Sequence, residues 1–119
     1  MLFLKPEVEE EGVSREVWFA LGVAAELKQR LFGLNTVVTS LKDGSHMAGS
    51  KHYTGQAGDL RTKDMTEAQA RTWLEALKVV LDPMGFDVIF EGQGTPGSSG
   101  VHIHAEFDPK PGEGFLHRL

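Results

Sequence analysis

Apolar residues recur every three or four positions along two stretches of this chain and every second position along others, and that contrast predicts its elements. Val17, Leu21, Ala24, Ala25, Leu27 and Leu31 have mainly helical spacing. Ser14 is placed to cap this helix, which runs to about Arg30 and stops near Gly33. Lys28, Gln29 and Arg30 fall near its carbonyl end, where the helix dipole favours positive charge. A second helix opens on Thr66-Glu67-Ala68-Gln69, a capping-box pattern, and continues through Ala70, Trp73, Leu74, Leu77, Val80 and Leu81 up to Pro83. Trp18 and Trp73 fall within these apolar patterns and read as packing residues.

The strands alternate with these helices. Residues 35–40 are short and rich in β-branched side chains. Residues 56–61 place Ala57, Asp59 and Arg61 on one face and Leu60 on the other, with Asp59 held by backbone pairing. Residues 86–91 alternate well enough for a strand. In 101–107 the alternation is clean: Val101, Ile103, Ala105 and Phe107 face a core, while His102, His104 and Glu106 line a cleft. Residues 41–55 change to Asp, Gly, Ser, Lys and His without a period, which predicts a long loop of the kind that often carries function. Residues 92–100 are a glycine- and proline-rich loop. The tail carries Phe115, Leu116 and Leu119, which can fold back onto the body, while His117 reads as surface. There is no internal repeat or linker, and the mixture of elements predicts an α+β fold.

Composition narrows the class. With 119 residues, 40% of them apolar, the chain predicts a single domain over residues 1–119 with one core, expected as a monomer. Its net charge of −5 and the lack of a Lys/Arg cluster interleaved with aromatics disfavour nucleic acid as a partner. No apolar segment approaches the ~20 residues needed to span a bilayer, so no membrane association is expected. Met1-Leu2-Phe3-Leu4-Lys5 is too short a run to be a signal peptide, and it meets Pro6 and then Glu9-Glu10-Glu11. Synthesis in the cytoplasm, with release by lysis or carriage in a virion, is the expected route to any substrate outside a membrane. Without cysteine there is no disulfide framework and no thiolate metal site, so a metal must use histidine and carboxylate ligands.

Such ligands are present. His52, Asp59 and His104 supply two imidazoles and a carboxylate, enough for a catalytic zinc that keeps a fourth position for water. The step from His52 to Asp59 crosses Gly55, which lets a loop residue face a strand residue, and Ala57 keeps the intervening position small. Hydrolysis also needs a base. His102 lies two residues before His104, roughly 6.5–7 Å away on the same strand face, and Glu106 and Glu91 are rival bases.

Ser50-x-His52-x-x-Gly55-x-Ala57-x-Asp59 followed by a late His104 resembles the signature of the zinc D-Ala-D-Ala peptidase family, in the superfamily that also holds lysostaphin-type enzymes and the hedgehog domain. The resemblance implies Zn2+ on His52, Asp59 and His104. It implies a small antiparallel sheet with two main helices packed on one side. It also implies hydrolysis of peptidoglycan stem peptides or crosslinks, as a carboxypeptidase or an endopeptidase.

Two positions depart from the pattern. Many members carry a carboxylate three residues before the last ligand, where this chain has Val101. His102-Ile103-His104 is instead similar to the murein endopeptidase and lysostaphin-like branches, in which the first histidine assists catalysis, and this favours His102 over Glu106. Thr39-Ser40 resembles a Thr-Ser-x-x-Arg lead-in, but Asp43 takes the arginine's place. Lys42, His46 and Arg61 are the remaining candidates to hold a substrate carboxylate or a developing oxyanion, and Ser50 can offer a substrate hydrogen bond. A phage or prophage product fits this small form. The competing readings are a non-catalytic, zinc-stabilised binding or virion-structural domain and a zinc-independent binding module.

Overall fold

Ser14 caps the first helix, its Oγ accepting from the Val17 N–H at 3.3 Å, and α1 runs Arg15–Phe32. Gly33 ends it with φ 68°, its N–H donating to the Gln29 carbonyl. In the computed structural model, which describes residues 1–41 and 55–110, α1 follows a short strand β1 (Leu2–Leu4) and leads into β2 (Thr36–Ser40). β3 (Ala57–Arg61) comes next, then α2 (Glu67–Leu81), a 3-10 turn at Asp82–Met84, β4 (Phe86–Gly92) and β5 (Val101–Phe107). The capping box of α2 forms in full: the Gln69 N–H donates to Thr66 Oγ1 at 3.1 Å and the Thr66 N–H to Gln69 Oε1 at 3.0 Å.

The fold is α+β, with one five-stranded sheet in the order β1-β2-β3-β5-β4. The sheet is mixed, which corrects the wholly antiparallel one expected. β1 pairs parallel to β2, with Leu2 opposite Thr36 and Leu4 opposite Val38, and α1 supplies the crossover that parallel neighbours require. Three residues ahead of Pro6 are too few to show a period of two, and their pairing depends on residues more than thirty positions away. The other pairings are antiparallel, and β3 lies between β2 and β5 with hydrogen-bonded neighbours on both sides.

Both helices pack on one face of this sheet. Val17, Leu21 and Ala24 of α1 and Ala70, Trp73 and Leu77 of α2 share a core with Val38, Leu60, Val88, Ile103 and Ala105. Gly58 lies under α1: a Cβ there would come within 3.1 Å of Leu41 and 3.3 Å of Leu21, so these two side chains would have to give by a few tenths of an ångström. The alternation that sends Leu60 and Ile103 into the core turns Asp59, His102, His104 and Glu106 to the opposite face.

Candidate metal and catalytic site

Register assembles the polar face. Asp59 pairs with His104 and Arg61 with His102 across β3 and β5, while Glu91 pairs with His102 across β4 and β5. Near Asp59 the β2–β3 ladder shifts register between Val38 and Ser40, a local irregularity of the kind that re-aims side chains beside functional sites. Gly55, just before β3, is buried with φ 74°, and a Cβ there would collide with the carbonyl of Gly12. Its own carbonyl accepts from the Ser14 N–H at 2.8 Å, which ties the entry of β3 to the start of α1. Glycine is therefore required at this position, and Ala57 is fully buried beside Glu106.

Five side chains converge. His104 Nδ1 lies 2.8 Å from Asp59 Oδ1 and 3.4 Å from Glu91 Oε1, and its Nε2 lies 2.9 Å from Glu106 Oε1. Asp59 and His104 are each only 6% exposed. His102 Nε2 is 3.4 Å from Glu91 Oε1 and 3.5 Å from Asp59 Oδ2, yet this buried nitrogen makes no hydrogen bond among the described residues. A buried polar atom with charged oxygens near it but no bond to them is costly unless something else satisfies it.

The donor set fits a divalent cation. One ligand atom from each of Asp59, Glu91 and His104 lies within 4.8 Å of the others, close to the spacing that bonds of ~2.0–2.2 Å to one ion require. Nδ1 is the His104 nitrogen that faces this group, and Glu106 on Nε2 is placed to fix the ring's orientation, as carboxylates do for metal-bound histidines. Glu106 also neighbours Asp87 and Asp108, where the Lys110 amine supplies positive charge 3.1 Å from Asp108. Glu91, expected only as a rival base, thus stands within ligand distance of the candidate centre. His52, Ser50, Lys42 and His46 lie outside the described residues. Arg61 ends β3 on the same face as Asp59, beside His102.

No protein-family model matches the chain, and no curated protein matches it. The resemblance drawn from its motifs therefore rests on those residues and on this geometry. Among the described residues no helix is long and apolar enough to cross a membrane.

Without a metal, His104 holds its proton strongly. Burial opposes the charged ring, but hydrogen bonds to Asp59 and Glu106 and the negative charges of Asp59 and Glu91 outweigh it and raise its pKa from 6.5 to about 9. A group whose pKa is higher in the folded state stabilises the fold fully below its unfolded value and ceases to do so as pH rises through the folded value. The metal-free protein should therefore lose stability between about pH 6.5 and pH 9, on the order of a few kcal/mol. Urea midpoints of the chelated and dialysed protein across that window test this, and a flat profile would contradict it. A cation at Asp59 and Nδ1 competes with the same proton, so metal affinity should rise over the same window.

Proposed function

We propose that this protein is a zinc-dependent peptidase acting on the stem peptides or crosslinks of bacterial peptidoglycan, with His52, Asp59 and His104 as its metal ligands. The observation that carries this reading is the convergence of Asp59, Glu91, His102 and His104 on the face of the sheet opposite the helices, with the buried Nε2 of His102 aimed at the carboxylates and bonded to neither. Zinc held there would supply Lewis acidity to a scissile carbonyl and to water. His102 accepts a proton at Nε2 and returns it to the leaving amine, and Glu91, 3.4 Å away, stabilises the ring while it is charged. Asp59 and Glu106 fix His104 from its two nitrogens. The single domain over residues 1–119, the monomeric state and delivery by lysis or in a virion belong to this proposal too.

A second reading has its own support. Both nitrogens of His104 already meet carboxylates, so the cluster can close on itself as a buried charge network, which suits a non-catalytic, zinc-stabilised binding domain. One experiment separates the two. The zinc-loaded protein is incubated with defined muropeptides and the products are weighed by mass spectrometry, with and without a chelator. The peptidase reading expects a product that disappears on chelation and in His102→Ala. Bound zinc with no product from any muropeptide would transfer the assignment to the binding domain.

A further inference from the structure

β4 is an edge of the sheet: β5 lies on one side of it, and no strand of the described residues lies on the other. Edge strands offer unpaired N–H and C=O groups to any second chain, and proteins blunt them by shortness, proline, lysine or a bulge. The opposite edge is blunted in this way, since β1 spans only Leu2–Leu4 and Pro6 follows. β4 has none of these guards. It runs seven residues, Phe86–Gly92, without proline or lysine, and its register with β5 is unbroken. Its two carboxylates are turned to other partners, Glu91 to His102 and His104 at 3.4 Å and Asp87 to Lys110 at 3.8 Å.

The ladder fixes which backbone groups face outward. Just beyond the two ends of β4, the Gln93 N–H donates to the Gly100 carbonyl and the Asp108 N–H to the Gly85 carbonyl. Hydrogen-bonded pairs alternate along an antiparallel ladder, so Asp87, Ile89 and Glu91 bond to β5, and the N–H and C=O of Val88 and Phe90 point away from it. These outward groups have no hydrogen-bond partner among the described residues. Val88 is 1% exposed, so water serves its groups poorly, and a buried backbone group without a partner is costly. Beside them lies a cavity of about 490 Å³, within the ~300–1,000 Å³ of ligand clefts. Its lining includes four consecutive residues, Phe86, Asp87, Val88 and Ile89. One face of a strand offers only alternate residues, so this cavity runs along the strand's edge. Ile89, 47% exposed and paired with His104, borders it on the face that carries the metal cluster.

We propose that this edge binds the peptide substrate as a sixth strand, through main-chain hydrogen bonds to Val88 and Phe90, with an apolar side chain on Ile89 and a basic one facing Asp87. This rests on the peptidase reading above and narrows its substrate class. A ladder needs N–H and C=O groups at the regular ~3.3–3.4 Å repeat of α-linked residues, so among stem peptides and crosslinks the edge selects an α-linked run over one joined through a side-chain carboxyl. Main-chain bonds give such binding its affinity and alternate side chains give it specificity. Neighbouring strands lie ~4.7–4.9 Å apart, which puts a sixth strand ~10 Å from β5 and His104. At ~3.3–3.6 Å per residue, about three residues span that gap. The paired segment therefore holds the substrate at a distance from the bond that is cut, and the peptide crosses to the centre at the Glu91 end of β4.

The test is an NMR titration of the zinc-free full-length protein with N-acetyl-Lys-Thr-Val-Thr-Lys-amide, whose pattern reads the same in either strand direction. Its valine faces Ile89 and one lysine faces Asp87. The amide signals of residues 87–91 should shift saturably. N-methylation of both threonines removes the donors that face Val88 and Phe90 and should weaken binding at least tenfold, as should a γ-linked glutamate in place of the valine. Ile89→Lys adds a lysine guard at an exposed position and should abolish binding with the fold intact, while Ile89→Leu should retain it. Equal binding of the N-methylated peptide, undiminished binding to Ile89→Lys, or no binding at all overturns the proposal. Concentration-dependent shifts of the same amides without peptide would give the edge to a second copy and overturn it too. Binding without hydrolysis of any muropeptide by the zinc-loaded protein would keep the strand site and remove the peptidase reading. Hydrolysis at the wild-type rate by Ile89→Lys, with no peptide binding, would do the reverse.

Discussion

On the proposed zinc-peptidase reading, Asp59→Ala is expected to abolish stoichiometric zinc binding and muropeptide hydrolysis together. Asp59 is 6% exposed, sits on an interior strand and reaches His104 Nδ1 at 2.8 Å with one oxygen and His102 Nε2 at 3.5 Å with the other. Its removal takes away the buried anion at the centre of the donor set. Partners one step out from a metal typically cost about 10–100-fold in affinity when mutated, and a ligand must cost more. Glu106→Gln provides the contrast: it keeps a hydrogen-bond acceptor at His104 Nε2 and should stay within that outer-partner range. Losing Asp59 also strips His104 of a charge-assisted hydrogen bond, worth about 1.5–3 kcal/mol. Asp59→Asn therefore accompanies it as the isosteric variant. Metal content after dialysis and the rate of product formation are the readouts. Zinc at one equivalent and a rate within tenfold of wild type in both variants would remove Asp59 from the centre.

Much of this site can be read from alternation alone. The polar face of 101–107 is a period of two with His102, His104 and Glu106 in phase, and the same period in 56–61 puts Asp59 and Arg61 together; local sequence determines both. The position of Glu91 depends on something else. It reaches the cluster because Gly92 pairs with Val101 and closes the 92–100 loop as a hairpin, and a loop of that length does not fix its register in advance. Glu91 was thus legible as a nearby carboxylate but not as one within ligand distance. β1 was not legible as a strand, since its pairing with β2 is long-range and parallel. Lys28 misleads for a similar reason: near the end of a helix it reads as a solvated charge complementing the dipole, yet it is wholly buried. Only the packing of α2 against α1 creates the pocket that takes it.

That pocket makes Trp73→Ala the largest expected loss of stability. Trp73 is completely buried between the helices, its indole N–H donates to the Ala24 carbonyl at 3.1 Å, and the Lys28 amine lies 4.8 Å from its ring centroid. Truncating a buried aromatic to alanine costs about 3–5 kcal/mol, a large part of the ~5–15 kcal/mol typical of whole domains. Lys28 looks equally embedded, but its contribution differs. Burial lowers its pKa, against the pull of Asp64 Oδ2 at 2.8 Å, so much of what that ion pair contributes is offset by desolvation. Lys28→Met keeps the volume and removes the charge, while Asp64, with 35% of its side chain exposed, returns to water. The expected change is within about 1 kcal/mol of zero. Urea unfolding of the two variants beside wild type tests the pair of expectations. A Trp73→Ala loss under about 1 kcal/mol, or a Lys28→Met loss as large as that of Trp73→Ala, would contradict the account of this core. Both residues lie on the helix side of the sheet, so the folded fraction of either variant should keep whatever divalent-metal affinity the wild type has: the core carries the sheet, and the opposite face of that sheet carries the candidate site.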